Sequence, residues 1–169
     1  LAAASTPATR ADQLWLVSEG IPGDTPAGGS VPQLMSADGR YVVLFSRSSA
    51  WMPGVIDANG GEDIFMWDRV TDSYSLVSHA AGSSMTTGNG RSLPIAPSAD
   101  GRYVAISSHA TDLIAGGTDT NGREDAFLWD RDSGTVTLAS HAFSSATTAG
   151  NAFSIAASMS ADGRYMAFY

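Results

Sequence analysis

The stretch Ser36-Ala37-Asp38-Gly39-Arg40-Tyr41 returns as Ser98-Ala99-Asp100-Gly101-Arg102-Tyr103 and again as Ser160-Ala161-Asp162-Gly163-Arg164-Tyr165, at a constant spacing of 62 residues. A fixed period of that length marks an architecture of repeated modules, each burying its apolar surface against its neighbours. Asp-Gly is a hairpin-turn signal, because glycine accepts positive φ. A short apolar run follows each copy: Tyr41-Val42-Val43-Leu44-Phe45, Tyr103-Val104-Ala105-Ile106 and Tyr165-Met166-Ala167-Phe168. These runs are aromatic and β-branched and apolar on both faces, so they read as strands buried between layers. A strand is expected before each turn, over 31–35, 93–97 and 155–159. Pro32, Pro94 and Pro97 imply that this strand is not paired along its whole length.

Further along the module, Ile64-Phe65-Met66-Trp67-Asp68-Arg69 recurs as Ala126-Phe127-Leu128-Trp129-Asp130-Arg131. Phe65, Trp67 and Arg69 share one strand face, and Ile64, Met66 and Asp68 the other. Both faces stay apolar until the strand ends, which predicts a strand sandwiched between sheets. Turns follow at Thr71-Asp72-Ser73 and Asp132-Ser133-Gly134, then strands over 74–78 and 135–140. In Thr135-Val136-Thr137-Leu138-Ala139-Ser140 the alternation suits a half-exposed outer strand. No 3.6-residue apolar stripe appears, and Glu, Lys and Gln are scarce. The expected class is therefore all-β, built of β-propeller blades that are four-stranded antiparallel sheets. About two complete blades, 33–80 and 81–142, are flanked by partial ones. Residues 143–169 open a further blade, 14–32 close an earlier one, and 1–13 form an extended segment.

The succession of a strand, Ser-Ala-Asp-Gly-Arg-Tyr, an Asp-x-Asn-Gly-x-Glu-Asp loop, Phe-x-Trp-Asp-Arg and Leu-Val-Ser resembles the WD40-like or TolB-type β-propeller repeats of many bacterial proteins. The resemblance covers residues 14–169. It implies a scaffold, a partner-binding domain or an appendage to a hydrolase, without choosing among them. The module departs from the usual repeat in being longer than forty-odd residues. Propellers close with about four to eight blades. Two whole units and two partial ones do not close, so the expectation is either a segment of a longer protein or several chains that complete a ring or stack edge to edge, with open blade edges that bind a protein partner or self-associate.

Net charge is −8 and all nine basic residues are arginines, which leaves no basic stripe for nucleic acid. No apolar run is long enough for a transmembrane helix. Cysteine is absent, excluding disulfides and thiol chemistry. The small, polar start Leu1-Ala2-Ala3-Ala4-Ser5 reads either as a mature terminus left by signal cleavage or as a linker. The expectation is an exported protein, periplasmic or extracellular.

The residues that could carry chemistry lie mainly in Asp57-Ala58-Asn59-Gly60-Gly61-Glu62-Asp63 and its copy Asp119-Thr120-Asn121-Gly122-Arg123-Glu124-Asp125. Oxygen ligands at alternate positions around a glycine suit Ca²⁺. On that reading Asp57, Asn59, Asp63, Asp119, Asn121 and Asp125 are the ligands, although no downstream glutamate completes an EF-hand. The other reading is a tight Asx-type turn delivering the chain into the third strand. Asp38, Asp100 and Asp162 are read as turn residues ion-paired locally with Arg40, Arg102 and Arg164. Trp51 has no aromatic counterpart, Leu113 standing in its place, and is expected to be an exposed partner contact. His79 and His141 repeat, which the periodicity itself explains. No Gly-x-Ser-x-Gly elbow, glycosidase-like carboxylate pair or phosphate loop occurs. The expected role is a non-catalytic structural or protein-interaction scaffold. The alternatives are a calcium-assisted carbohydrate-binding module and the propeller part of a larger hydrolase.

Overall fold

A computed structural model describes residues 31–169. The expected extended segment 1–13 and partial blade 14–32 lie outside the described residues, except that Val31 and Pro32 belong to the first strand. One sheet runs β1 (Val31–Met35), β2 (Tyr41–Ser46), β3 (Asp63–Asp68) and β4 (Ser73–Leu76) in simple antiparallel order. The next repeats it as β5 (Ser92–Pro97), β6 (Tyr103–Ser108), β7 (Asp125–Asp130) and β8 (Thr135–Leu138). A two-stranded sheet of β9 (Ala156–Met159) and β10 (Met166–Phe168) opens a third module. The chain is all-β, and its four-stranded antiparallel meanders, stacked face to face, are β-propeller blades.

Each hexapeptide turn is held the same way. Ser36 Oγ donates to Asp38 Oδ1 at 2.6 Å, and Asp38 Oδ1 also accepts the Arg40 amide at 3.0 Å. Ser36 Oγ in turn accepts the Tyr41 amide at 3.0 Å, and Gly39 takes φ 67°. These donors hold the Asp38 carboxyl below its usual range, the Ser36 hydroxyl first among them. The local ion pair expected within the turn does not form. Arg40 reaches instead across to the end of β3, its Nε donating to Asp68 Oδ1 at 3.1 Å and its Nη2 to Oδ2 at 2.8 Å. Arg102 does the same to Asp130. The reason is geometric: Tyr41 pairs with Asp68 across the sheet, so Arg40 lies beside that carboxylate, while Asp38 is occupied by its own turn.

The prolines leave their mark as inferred. The β1–β2 register slips between Pro32 and Leu34, and the β5–β6 register between Pro94 and Ala96. The last strand of each blade is shorter than the sequence suggested, because the chain bends at Val77 and Ser78. There the Ser78 hydroxyl, not a main-chain carbonyl, accepts the Ile64 amide at 2.9 Å. Ser140 does the same for Ala126 at 3.0 Å.

The core lies between sheets. Val43, Ile64, Met66 and Val77 of the first blade pack with Val104, Ile106, Phe127, Trp129 and Leu138 of the second. The far face of the second blade is lined by Ala105 and Ala126, against which Ala156, Met159 and Met166 of the third module pack. Near the hexapeptide turns the modules nearly touch. A Cβ at Gly101 would lie 2.5 Å from the Tyr41 ring, and one at Gly163 would lie 2.3 Å from that of Tyr103. The Arg131 guanidinium covers the other side of this joint, 4.1 Å from the Tyr41 ring centroid. The turns are also linked by their backbones, Ala37 N–H donating to the Ala99 carbonyl at 2.8 Å and Ala99 N–H to the Ala161 carbonyl at 2.7 Å. Among the described residues no helix is long and apolar enough to cross a membrane.

Candidate functional site

The two aspartate-rich loops enter β3 and β7, and each closes on itself first. Asp57 Oδ1 accepts the amides of Asn59 at 3.0 Å and Gly60 at 2.7 Å, an Asx turn with Gly60 at φ 64°. Asp119 accepts the amides of Asn121 and Gly122, each at 2.9 Å. Asn59 then spans from this turn to the connection leading into the next blade. Its Oδ1 accepts the Gly61 amide, while its Nδ2 donates to the Gly88 carbonyl at 2.6 Å. Asp63 Oδ1 and Oδ2, at 3.2 and 3.3 Å, and the Gly90 carbonyl, at 3.4 Å, lie around the same nitrogen. Asn121 Nδ2 repeats the contact with the Gly150 carbonyl at 2.7 Å.

Of the six candidate ligands the structure thus brings Asn59 and Asp63 together, with the amide nitrogen at the centre of the oxygen atoms. Asp57 and Asp119 direct their carboxylates into their own turns. Among the described residues no group of three His, Asp or Glu side chains converges as a metal site.

Asp63 is only 2% exposed, and Ser78 Oγ donates to its Oδ1 at 3.1 Å. Burial is the main influence and pushes its carboxyl up to about 7, against the lowering effect of the Asn59 and Ser78 donors. Asp125, bonded by Ser140 Oγ at 2.9 Å, is raised for the same reason. Main-chain bonds complete the clasp: the Ser92 amide donates to the Glu62 carbonyl at 2.8 Å, and Ser154 to Glu124 at 2.7 Å. The loop fastens one blade to the strand that begins the next.

Trp51 is not an exposed contact. It is 1% exposed and packs with Leu44, Phe65 and Leu76. The 3₁₀ turn Ser49–Trp51 folds it back over the sheet, where its ring lies 5.6 Å from that of Tyr74. Leu113, its counterpart, is buried as well, so this position belongs to the core in both blades. His79 is a tie between blades, its Nε2 lying 3.0 Å from the Gly134 carbonyl.

Sequence reasoning missed a groove of about 260 Å³ between β4 of the first blade and the end of β7 with its following turn in the second, lined by Tyr74, His79, Met85, Trp129, Arg131 and Gly134 among others. Two of its lining residues, Trp129 and Gly134, carry an asymmetry readable from the alignment of the repeats. Trp67 Nε1 donates to Asp72 Oδ1 at 3.0 Å, but glycine replaces that aspartate in the second blade, and Trp129 Nε1 is buried without an acceptor.

No protein-family profile matches the chain, and no curated protein matches it. Among solved structures it is similar to the crystal structure of TolB from Acinetobacter baumannii, with 16% sequence identity and a TM-score of 0.38. That match covers 89% of this chain and 32% of the other, so the chain spans about a third of that neighbour's length.

Proposed function

We propose that the chain is a non-catalytic, exported propeller segment whose blades serve as a structural and protein-interaction scaffold. The observation that carries this reading is where its large apolar residues meet solvent. Ile56, Val70, Met85, Phe143 and Phe153 are all exposed, and all lie on connections between strands. Apolar side chains held in solvent by the loops of successive modules suit a protein-binding surface. The repeated polar residues, by contrast, are engaged in holding turns and blades: Asp57 in its Asx turn, Asn59 on the Gly88 carbonyl, Asp63 under Ser78.

The test is site-specific photocrosslinking from residues 143 and 153 in an envelope extract, beside a glycan array. Saturable crosslinks to a protein, with a blank array, are expected. Calcium-dependent binding to glycans without a protein crosslink would overturn the scaffold reading in favour of a carbohydrate-binding module.

A further inference from the structure

The two complete blades carry the same tryptophan, and only one of the pair has its N–H satisfied. Trp67 Nε1 donates to Asp72 Oδ1 at 3.0 Å. Trp129 holds the equivalent place on β7 and is 3% exposed, yet its Nε1 has no acceptor among the described residues. Gly134 stands where Asp72 does, on a backbone of nearly the same shape, φ 65° against 54°. A Cβ built on Gly134 would meet nothing within 4 Å, so open space lies where the aspartate side chain would run. Trp129 and Gly134 both line the groove of about 260 Å³ between the blades. The repeat therefore aims the Trp129 N–H at a spot in this groove that a carboxylate fills in the sister blade.

The rest of the wall suits the same chemistry. Arg131 lines the groove, steadied by the Gly101 carbonyl at 3.0 Å and by Asp132 at 3.1 Å. None of the lining residues is acidic, in a chain with 17 acidic residues against nine basic ones. Met52, Leu76 and Met85 supply apolar surface. His79 Nε2 lies 3.0 Å from the Gly134 carbonyl and fixes the turn that leaves the space open. A buried donor without a partner is costly, and a ligand oxygen that reached it would recover that cost on binding.

We propose that this groove binds a small organic acid with an apolar body. The ligand carboxylate accepts the Trp129 N–H as Asp72 accepts that of Trp67, with the Arg131 charge beside it. The apolar part lies against Met52, Leu76 and Met85. A carboxylate fits better than a neutral oxygen, because the chain itself sets one on this N–H in the first blade. The site needs no protein partner and so stands apart from the scaffold reading.

Hexanoate is a suitable probe, and hexanamide keeps its apolar body without the charge. Titrating the isotope-labelled chain with hexanoate is expected to move the assigned indole N–H resonance of Trp129 saturably, in the millimolar range that suits so small a ligand. The Trp67 resonance should stay in place. Hexanamide is expected to bind about tenfold more weakly, since charge-assisted hydrogen bonds are the stronger ones. Gly134→Asp sets the chain's own carboxylate on Trp129 and should abolish the hexanoate shift while raising the melting temperature. A Trp129 signal that hexanoate leaves unmoved, or moves no more than hexanamide does, overturns the proposal. Full hexanoate binding by a folded Gly134→Asp chain overturns it as well. The comparison of the two probes uses the unaltered chain, so it decides the matter whether or not the variant folds.

Discussion

The indole N–H of Trp67 donates to the carboxylate of Asp72 at 3.0 Å, and Asp72 holds φ 54° to receive it. At the same place in the next blade Gly134 holds φ 65° and offers Trp129 no side chain. A buried donor without an acceptor costs about 1–3 kcal/mol. Gly134→Asp should supply the acceptor on a backbone already shaped for it and raise stability by about 1 kcal/mol net of the left-handed strain. Asp72→Gly should lower it by a similar amount. Urea unfolding of both variants checks the pair, and equal effects of the same sign would refute this account.

Gly101 and Gly39 share nearly the same φ, 65° and 67°, but not the same surroundings. A methyl at Gly39 meets nothing nearer than Met35 Sδ at 3.5 Å, whereas at Gly101 it runs into the Tyr41 ring. Gly39→Ala should therefore cost only the left-handed strain, about 1 kcal/mol. Gly101→Ala should cost about 2 kcal/mol more, because overpacking must part the blades. Thermal melts of the two variants give the difference directly.

Asp63 predicts an unusual pH profile. Its folded carboxyl titrates near 7, above the ordinary 3.8, so over that interval the folded chain binds more protons than the unfolded one. Stability from this group is greatest at acid pH and falls as pH rises from about 4 to 7, Asp125 adding in the same sense. Asp38, Asp68, Asp100, Asp130 and Asp162 are held low and act oppositely, losing their contribution as pH drops below their ordinary range. Stability should therefore peak between about pH 4 and 5. Asp63→Asn, which mimics the neutral acid, should flatten the decline toward neutrality. Chemical unfolding across pH 3–8 would show it, and an unchanged slope in the variant would count against the assignment.

The Asn59 amide nitrogen lies within hydrogen-bond distance of the Gly88 and Gly90 carbonyls and of the Asp63 carboxylate. Millimolar Ca²⁺ is accordingly expected to leave the melting temperature unchanged after chelator treatment. Asn59→Ala should lower stability by about 1–3 kcal/mol, since the Gly88 carbonyl loses its donor. A calcium-induced rise in melting temperature would reverse this reading.

Much of the frame was legible because it repeats. The Asp-Gly turns, the two-faced apolar strands after them and the prolines that break register all act through local chemistry, so residues 36–46 and 98–108 could be read in isolation. Trp51 could not, because its burial follows from a single 3₁₀ turn that folds it over Leu44 and Phe65, and nothing in Trp-Met-Pro encodes that direction. The partner of Arg40 was missed for a related reason. Asp38 is two residues away in sequence, but strand register sets Asp68 beside the guanidinium. The Asx turns at Asp57 and Asp119 were among the readings the spacing allowed. The reach of Asn59 to Gly88 was not, since it crosses from one module's loop to the next module's approach.

The amide-to-carbonyl links between Ala37, Ala99 and Ala161 all point the same way along the series. Such a series has polarity: each turn gives to its successor and receives from its predecessor. Proline at Ala99 would cut the bond to Ala161 and spare the one arriving from Ala37. A lesion at one turn is therefore felt downstream and not upstream, and the stack loosens directionally.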